Sequence, residues 1–312
     1  MMLIEKTKRA FSLIEVIFVL VILGIVASIS SQIIVQVYEN YITQRAIYNT
    51  STKTELVATQ IVNRLTFVID GTSIAKDLNN PGFIEDTHWT KLENIPNFDN
   101  NFTTIEWIGY DNDSFSATET PSWSGVANYE TASKNSLSTP GSHLTDTAII
   151  MNNLSNGKVK LTDDNPAGLI FMEKAKHYKG TSEYTPACMG LIDETNTSCI
   201  FSVSLNSDTN LSFSDALPKI VTERYKLAWS AYALVPEDDD GDGLFDLFLY
   251  SNYQPWNNEN FEDDGSKNLL IKNVSVLKFT ENGGVIQLKI CVSEQISENF
   301  SISSCKEKAI IR

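Results

Sequence analysis

The hydrophobic pattern of the chain begins with a block, not an alternation. Residues 1–10, "MMLIEKTKRA", are mixed and basic; from Phe11 to Ile29 every position is apolar or small except Glu15. At about 1.5 Å per residue, that run is long enough to cross the roughly 30 Å hydrocarbon core of a bilayer as a helix. After Ser30-Ser31 the stretch "QIIVQVYENYITQRAIYNTSTKTELVATQIVNRLTFVID" keeps its apolar residues near helical spacing. Ile47, Thr54, Val57, Ile61, Leu65 and Val68 form one stripe, and Asp70-Gly71 supplies a stop. The pattern predicts one helix from Phe11 to Asp70, about 90 Å long. Its first part (11–30) is apolar all round and its second (31–71) is one-sided. No proline interrupts it, so no proline kink is expected.

Beyond residue 71 the period changes. Residues 72–145 are rich in Asn, Ser, Thr and Asp and read as short strands between long loops. Strand-like runs then recur: "TAIIMNNL", "AGLIFME", "CIFSVSL", "YKLAWSAYALV", "LFDLFLYSNY", "NVSVLKFT" and "GVIQLKICVSE". "TENGGV" joins the last two as a hairpin, with Asn282-Gly283 as its turn. A long helix followed by antiparallel strands is an α+β arrangement, with residues 72–312 as a β-rich globular part.

Composition narrows the function classes. Hydrophobic residues make up 42% and charged residues 20% of the 312, so most of the chain should fold. The formal net charge of −15, with no run of Lys or Arg after residue 10, argues against direct nucleic-acid binding. The 4 cysteines fall into two close pairs, Cys188/Cys199 and Cys291/Cys305, without zinc or redox spacing. Four cysteines permit three pairings. For an exported chain two local disulfides are the natural reading; four buried thiols are the cytosolic alternative.

Lys6, Lys8 and Arg9 precede the apolar run, so the positive-inside rule keeps the leader in the cytoplasm and exports the rest. "VASISSQ" offers a secretory cleavage site as an alternative, but that reading gives Glu15 no purpose. A carboxylate inside lipid costs on the order of 2–4 kcal/mol and calls for a partner. Ala10-Phe11-Ser12-Leu13-Ile14-Glu15 followed by an apolar helix resembles the type IV prepilin signature, in which a small residue, usually Gly, precedes Phe-Ser/Thr-Leu-Ile-Glu. The resemblance implies cleavage between Ala10 and Phe11 by a prepilin peptidase, N-methylation of Phe11, and retention of the apolar helix in the inner membrane. It also implies a single-pass topology with the remainder in the periplasm, and assembly with other pilin or pseudopilin subunits. Glu15 would then neutralise the Phe11 amine of a neighbouring subunit. Ala10 in place of Gly departs from the commoner pattern.

Two inner segments extend the likeness. "GSHLTDTAIIM" resembles the opening of a strand in the larger minor pilins and the J-type pseudopilin of type II secretion. "NLLIKNVSVLKFT", followed by a Gly-rich turn and another strand, resembles their closing strands. Glu15 disfavours the K-type pseudopilin. The expected role is therefore a low-copy, non-catalytic subunit that initiates or caps a filament. A tip subunit for adhesion or DNA uptake, and a membrane-anchored enzyme, are the alternatives.

"PEDDDGDGLFDLFLY" carries Asp238, Asp240, Asp242 and Asp246 at alternating and then wider spacing around Gly243. Carboxylates so placed, with the Leu244 carbonyl, suit a calcium ion needing six or more oxygens. Leu249 stands where an EF-hand has its bidentate Glu, so a further ligand is required, for which Asp263 and Asp264 are candidates. No organic cofactor is expected. His88, His143 and His177 are scattered, and no P-loop, dinucleotide fingerprint, HExxH or GxSxG occurs. A glycosidase-type carboxylate pair stays open on sequence alone.

Overall fold

The computed structural model describes residues 12–77, 88–95, 102–117, 119–133, 135–173, 186–214, 221–238, 241, 243–297 and 300–311. Helix α1 (Leu13–Leu65) runs unbroken for 53 residues, about 80 Å. It stops five residues short of Asp70. Past the turn at Thr66, Val68 forms a bridge to Gly109 and Ile69 N–H donates to the Ile108 carbonyl at 2.9 Å. Hydrogen bonds to the end of the third strand of the sheet thus replace the last helical turn, and Gly71, at φ +80°, turns the chain onward.

Along the chain follow β1 (Ile74–Lys76), β2 (Trp89–Lys91), β3 (Thr104–Gly109), α2 (Asn112–Phe115), β4 (Asn128–Ser133), β5 (Ser136–Ser138), α3 (Leu144–Leu154), β6 (Ala167–Phe171) and β7 (Phe201–Ser207). Then come β8 (Asn210–Phe213), β9 (Tyr225–Ala228), β10 (Ser230–Glu237), β11 (Phe245–Tyr253), β12 (Ser266–Asn282), β13 (Val285–Ser297) and β14 (Phe300–Ile311). They form two antiparallel sheets, one of eight strands in the order β14-β13-β12-β11-β10-β3-β1-β2 and one of six, β4-β5-β8-β7-β6-β9.

Strand alternation makes this a three-layer structure. In β10, Tyr232 and Leu234 join the core under α1, whereas Ala231, Ala233 and Val235 join the core shared with the six-stranded sheet. Ile105 and Trp107 of β3 likewise face Val57, Ala58, Ile61 and Leu65 of α1, and Ile108 faces the other way. The second half of α1 lies mainly on β12, β13 and β14.

The intersheet core contains a buried ion pair. Lys76 Nζ is 2.5 Å from a Glu106 carboxylate oxygen, and the fully buried Tyr253 hydroxyl donates to the other oxygen at 2.7 Å. The Lys76 ammonium also lies 5.3 Å from the centre of the Phe261 ring. Burial, with the Glu106 charge beside it, pushes the Tyr253 phenol well above its ordinary range.

Four further expectations change. "TAIIMNNL" belongs to helix α3, because Leu144, Thr147 and Met151 are buried at helical spacing, and Asp146 lies in the first turn. "YKLAWSAYALV" divides at Trp229 into β9 and β10, which belong to different sheets. The hairpin turn centres on Gly283-Gly284, both at positive φ, because Asn282 pairs with Val285. On α1, Ile47 points outward and Ala46 and Thr50 occupy the buried line instead. The two disulfides are local, Cys188–Cys199 and Cys291–Cys305; the second joins residues directly opposite in β13 and β14, with Cα atoms 4.0 Å apart.

Candidate functional site

The start of α1 is built around Ser12 and Glu15. Ser12 is the N-cap: its hydroxyl accepts the Glu15 N–H at 3.3 Å, and the Glu15 carboxylate accepts the Ser12 N–H at 3.4 Å. This reciprocal capping box satisfies two of the donors that a helix start leaves over, and it puts a negative charge at the positive end of the helix dipole. The sequence carried the signal, Ser-x-x-Glu, but it was masked by the apolar context. Ala10 and Phe11 lie outside the described residues. The long contact to Ser12 leaves Glu15 exposed, with lone pairs free for a cation brought by another chain.

Above Glu15 the helix makes no contact that covers it. Leu13, Phe18, Leu20 and Leu23 are all more than half exposed, and every residue up to Tyr41 is exposed. The stretch is long and apolar enough to cross a membrane. The first buried residue is Ala46, where the domain begins to cover the helix.

The acidic loop joins β10 to β11. Asp240 and Asp242 lie outside the described residues. Asp238 Oδ1 accepts the Gly241 N–H at 2.8 Å, while Gly241 and Gly243 take φ values of +73° and +82°, so the loop is tight. Asp246 has entered β11, opposite Glu237, and its carboxylate is 2.7 Å from Lys272 Nζ. Asp263 and Asp264 serve a local turn with Asn260. Among the described residues no group of three or more His, Cys, Asp or Glu is gathered for a metal.

Elsewhere the chemistry is sparse. His143 Nδ1 lies 3.3 Å from Asp208 Oδ2 on the surface, and His177 is outside the described residues. A cleft of about 500 Å³ opens beside the packed end of α1, lined among others by Gln60, Arg64, Phe67, Trp107, Asn112 and Tyr232. Trp107 and Tyr232, paired on β3 and β10, stack side by side in its wall with ring centres 5.7 Å apart, and the Arg64 guanidinium lies 5.5 Å from the centre of the Tyr232 ring. Burial raises the Tyr232 phenol to about 12, so it stays a neutral donor. Buried Asp111, which caps α2 by accepting the Ser114 N–H and the Trp123 Nε1–H, is pushed up to about 6 by desolvation.

The comparisons with known proteins bear on the first of these places. Residues 6–31 match the family model described as "Prokaryotic N-terminal methylation motif". No curated protein and no solved structure matches the chain. The motif, and the long apolar helix packed on a large antiparallel sheet, support a type IV pilin-like architecture; a motif of this kind in general implies processing by a prepilin peptidase and assembly with other pilin-type subunits.

Proposed function

We propose that this chain is a non-catalytic subunit of a type IV pilus or a type II secretion pseudopilus, held in the inner membrane by α1 with its β-rich part in the periplasm. One observation carries the reading: a methylation motif heads an uninterrupted helix of 53 residues whose first half is bare apolar surface. Cleavage after Ala10 frees an amine on Phe11, which is then methylated. In the filament core Glu15 of one subunit pairs with that cation on its neighbour. Two charges that are each costly in lipid are tolerable together. The basic leader sets the orientation. Energy for assembly comes from a separate ATPase, and this chain contributes a polymerising helix and a folded head.

Within that class, the size of the head and the β12–glycine turn–β13 arrangement favour a low-copy subunit that initiates or caps, resembling the larger minor pilins or the J-type pseudopilin. The helical α3 removes the other segment that suggested this subtype. The acidic charge lowers the case for a DNA-binding tip. The test is the mass of the N-terminal peptide from membranes, with and without the prepilin peptidase. The expected chain begins at methylated Phe11 only when the peptidase is present. A chain beginning at Met1, or cut near Ser31, overturns the reading.

The β10–β11 loop is proposed to take calcium through Asp238, Asp240, Asp242, the Leu244 carbonyl and Asp246. The two positive-φ glycines and the turn closed by Asp238 Oδ1 on the Gly241 N–H favour it, while the Lys272 contact at Asp246 must open or be shared. At about 1 mM calcium and an affinity near 0.1 mM, Tm should rise by roughly 3–5 °C and fall back in chelator. Asp238→Asn should remove the shift; an unchanged Tm in the parent chain removes the site.

A further inference from the structure

A buried lysine in contact with a buried glutamate differs from an amide by one molecule of water. β1 and β3 pair with Ile74 opposite Glu106. Lys76, two residues further, therefore rises on the same face, and its long side chain reaches Glu106 across the diagonal. The two residues are 7% and 2% exposed. Lys76 Nζ lies 2.5 Å from Glu106 Oε2, which puts it roughly 3–3.5 Å from the carboxyl carbon, the separation of a near-attack arrangement. Among the described residues, Oε2 nevertheless accepts no hydrogen bond, so the nitrogen meets it off the angle that a hydrogen-bonded salt bridge takes. Oε1 is held separately, by the Tyr253 hydroxyl at 2.7 Å.

As an ion pair this arrangement is costly, because two charges are kept from water with their hydrogen bonds incomplete. An amide removes both charges and keeps the Tyr253 hydrogen bond on its carbonyl oxygen. A cavity of about 100 Å³ opens beside the pair, with Glu262 and Asn260 in its wall, and it is large enough to take the water released. Burial raises the Glu262 carboxyl above its ordinary 4.5, which suits a group that accepts and returns a proton.

We propose that Lys76 and Glu106 join in an isopeptide bond, formed by the folded chain itself, between the first strand after the helix and β3. One proton passes from the ammonium to Oε2, leaving an amine and a carboxylic acid. The amine attacks the carboxyl carbon, and the negative charge that develops on Oε1 is met by the Tyr253 hydroxyl. Glu262 takes a proton from the nitrogen and delivers it to Oε2, which leaves as water. The carbon–nitrogen bond forms as the carbon–oxygen bond breaks, and no oxidant or second substrate is needed. β1 has only three residues and follows α1 closely, so the bond fastens the exit of the helix to the sheet by a link that, unlike the two disulfides, no reductant opens. The inference does not rest on the filament reading.

The test is peptide mass spectrometry of the full-length chain, purified in detergent, then denatured, reduced, alkylated and cut with trypsin. An ion pair does not survive this treatment and an amide does. Trypsin does not cut after an acylated lysine, so the expected product is peptide 65–91 joined to peptide 92–134, at a mass one water below their sum, with fragments that place the link at Lys76 and Glu106. Lys76→Arg retains the charge but not the reactive amine, and its digest should contain 92–134 alone at full mass. Free peptides 65–76 and 92–134 as the main products of the parent chain overturn the proposal. So does a link placed at any other pair of residues, or a loss of water that persists in Lys76→Arg.

Discussion

The two halves of α1 are continuous in backbone and opposite in what completes them. From Ala46 to Leu65 one side of the helix is filled from within the chain by Ile105, Trp107, Tyr232 and the strands of the closing meander. From Leu13 to Tyr41 every residue is exposed, and nothing in the chain fills that part. In the first case burial supplies stability to the monomer; in the second it can be gained only from a membrane or another chain. A helix that folds with half its apolar surface uncovered is stable as a fold only through its other half.

The sharpest test of that division is a matched pair of truncations. Leu65, fully buried, sits between helix and sheet. Leu65→Ala should cost about 2–5 kcal/mol in chemical denaturation of the detergent-solubilised chain, the range for losing a buried side chain and leaving a cavity. Val37→Ala, on the exposed half, should stay within about 0.5 kcal/mol. Equal costs would mean that the outer half is already buried in the monomer, and the comparison would fail.

The pH dependence of stability should likewise belong to the domain. Asp111 is buried and pushed from an ordinary 3.8 to about 6, so the folded state holds its proton more tightly than the unfolded chain. Stability therefore falls as pH rises from about 4 to about 6 and is level above that, by roughly 2–3 kcal/mol for this group. Asp113 beside it pushes in the same direction. Asp111→Asn retains an oxygen for the Ser114 N–H and should flatten this slope, measured by urea denaturation at pH 4, 5, 6 and 7. A slope unchanged in the variant would assign it to other carboxylates.

How much of this was legible in sequence depends on the range of the contact. The unbroken α1, the α+β order and the β12–β13 hairpin were legible because period and turn chemistry are local. The reading of "TAIIMNNL" failed on Ile149-Ile150, whose β preference was outweighed by burial at Leu144, Thr147 and Met151. The break at Trp229 had no local sign, because one continuous apolar run serves two sheets. Tyr253 and Glu106 are 147 positions apart, so their hydrogen bond in the intersheet core could not be read from spacing. At the candidate site, Glu15 was found by its cost in lipid, but its cap on Ser12 was not.

The smallest expected effect lies where the covered half meets the sheet edge. Glu55 contacts Lys308 and is 3.7 Å from Lys306, both on β14, so it ties α1 to the edge strand beside the Cys291–Cys305 bridge. The hydrogen bond from Lys308, and the charges of both lysines, hold its carboxyl below the ordinary 4.5. A lowered carboxyl adds stability above about pH 4.5 and loses it as pH falls through the lowered value. The carboxylate is solvated, so screening keeps the gain small. Glu55→Gln should lower Tm by less than about 3 °C at pH 7 and low salt, with no difference from the parent in 1 M salt, where the Debye length is about 3 Å. A larger loss that persists in high salt would mean that Glu55 acts through packing, not charge. The edge strand would then be part of the packing that fixes the covered half of the helix.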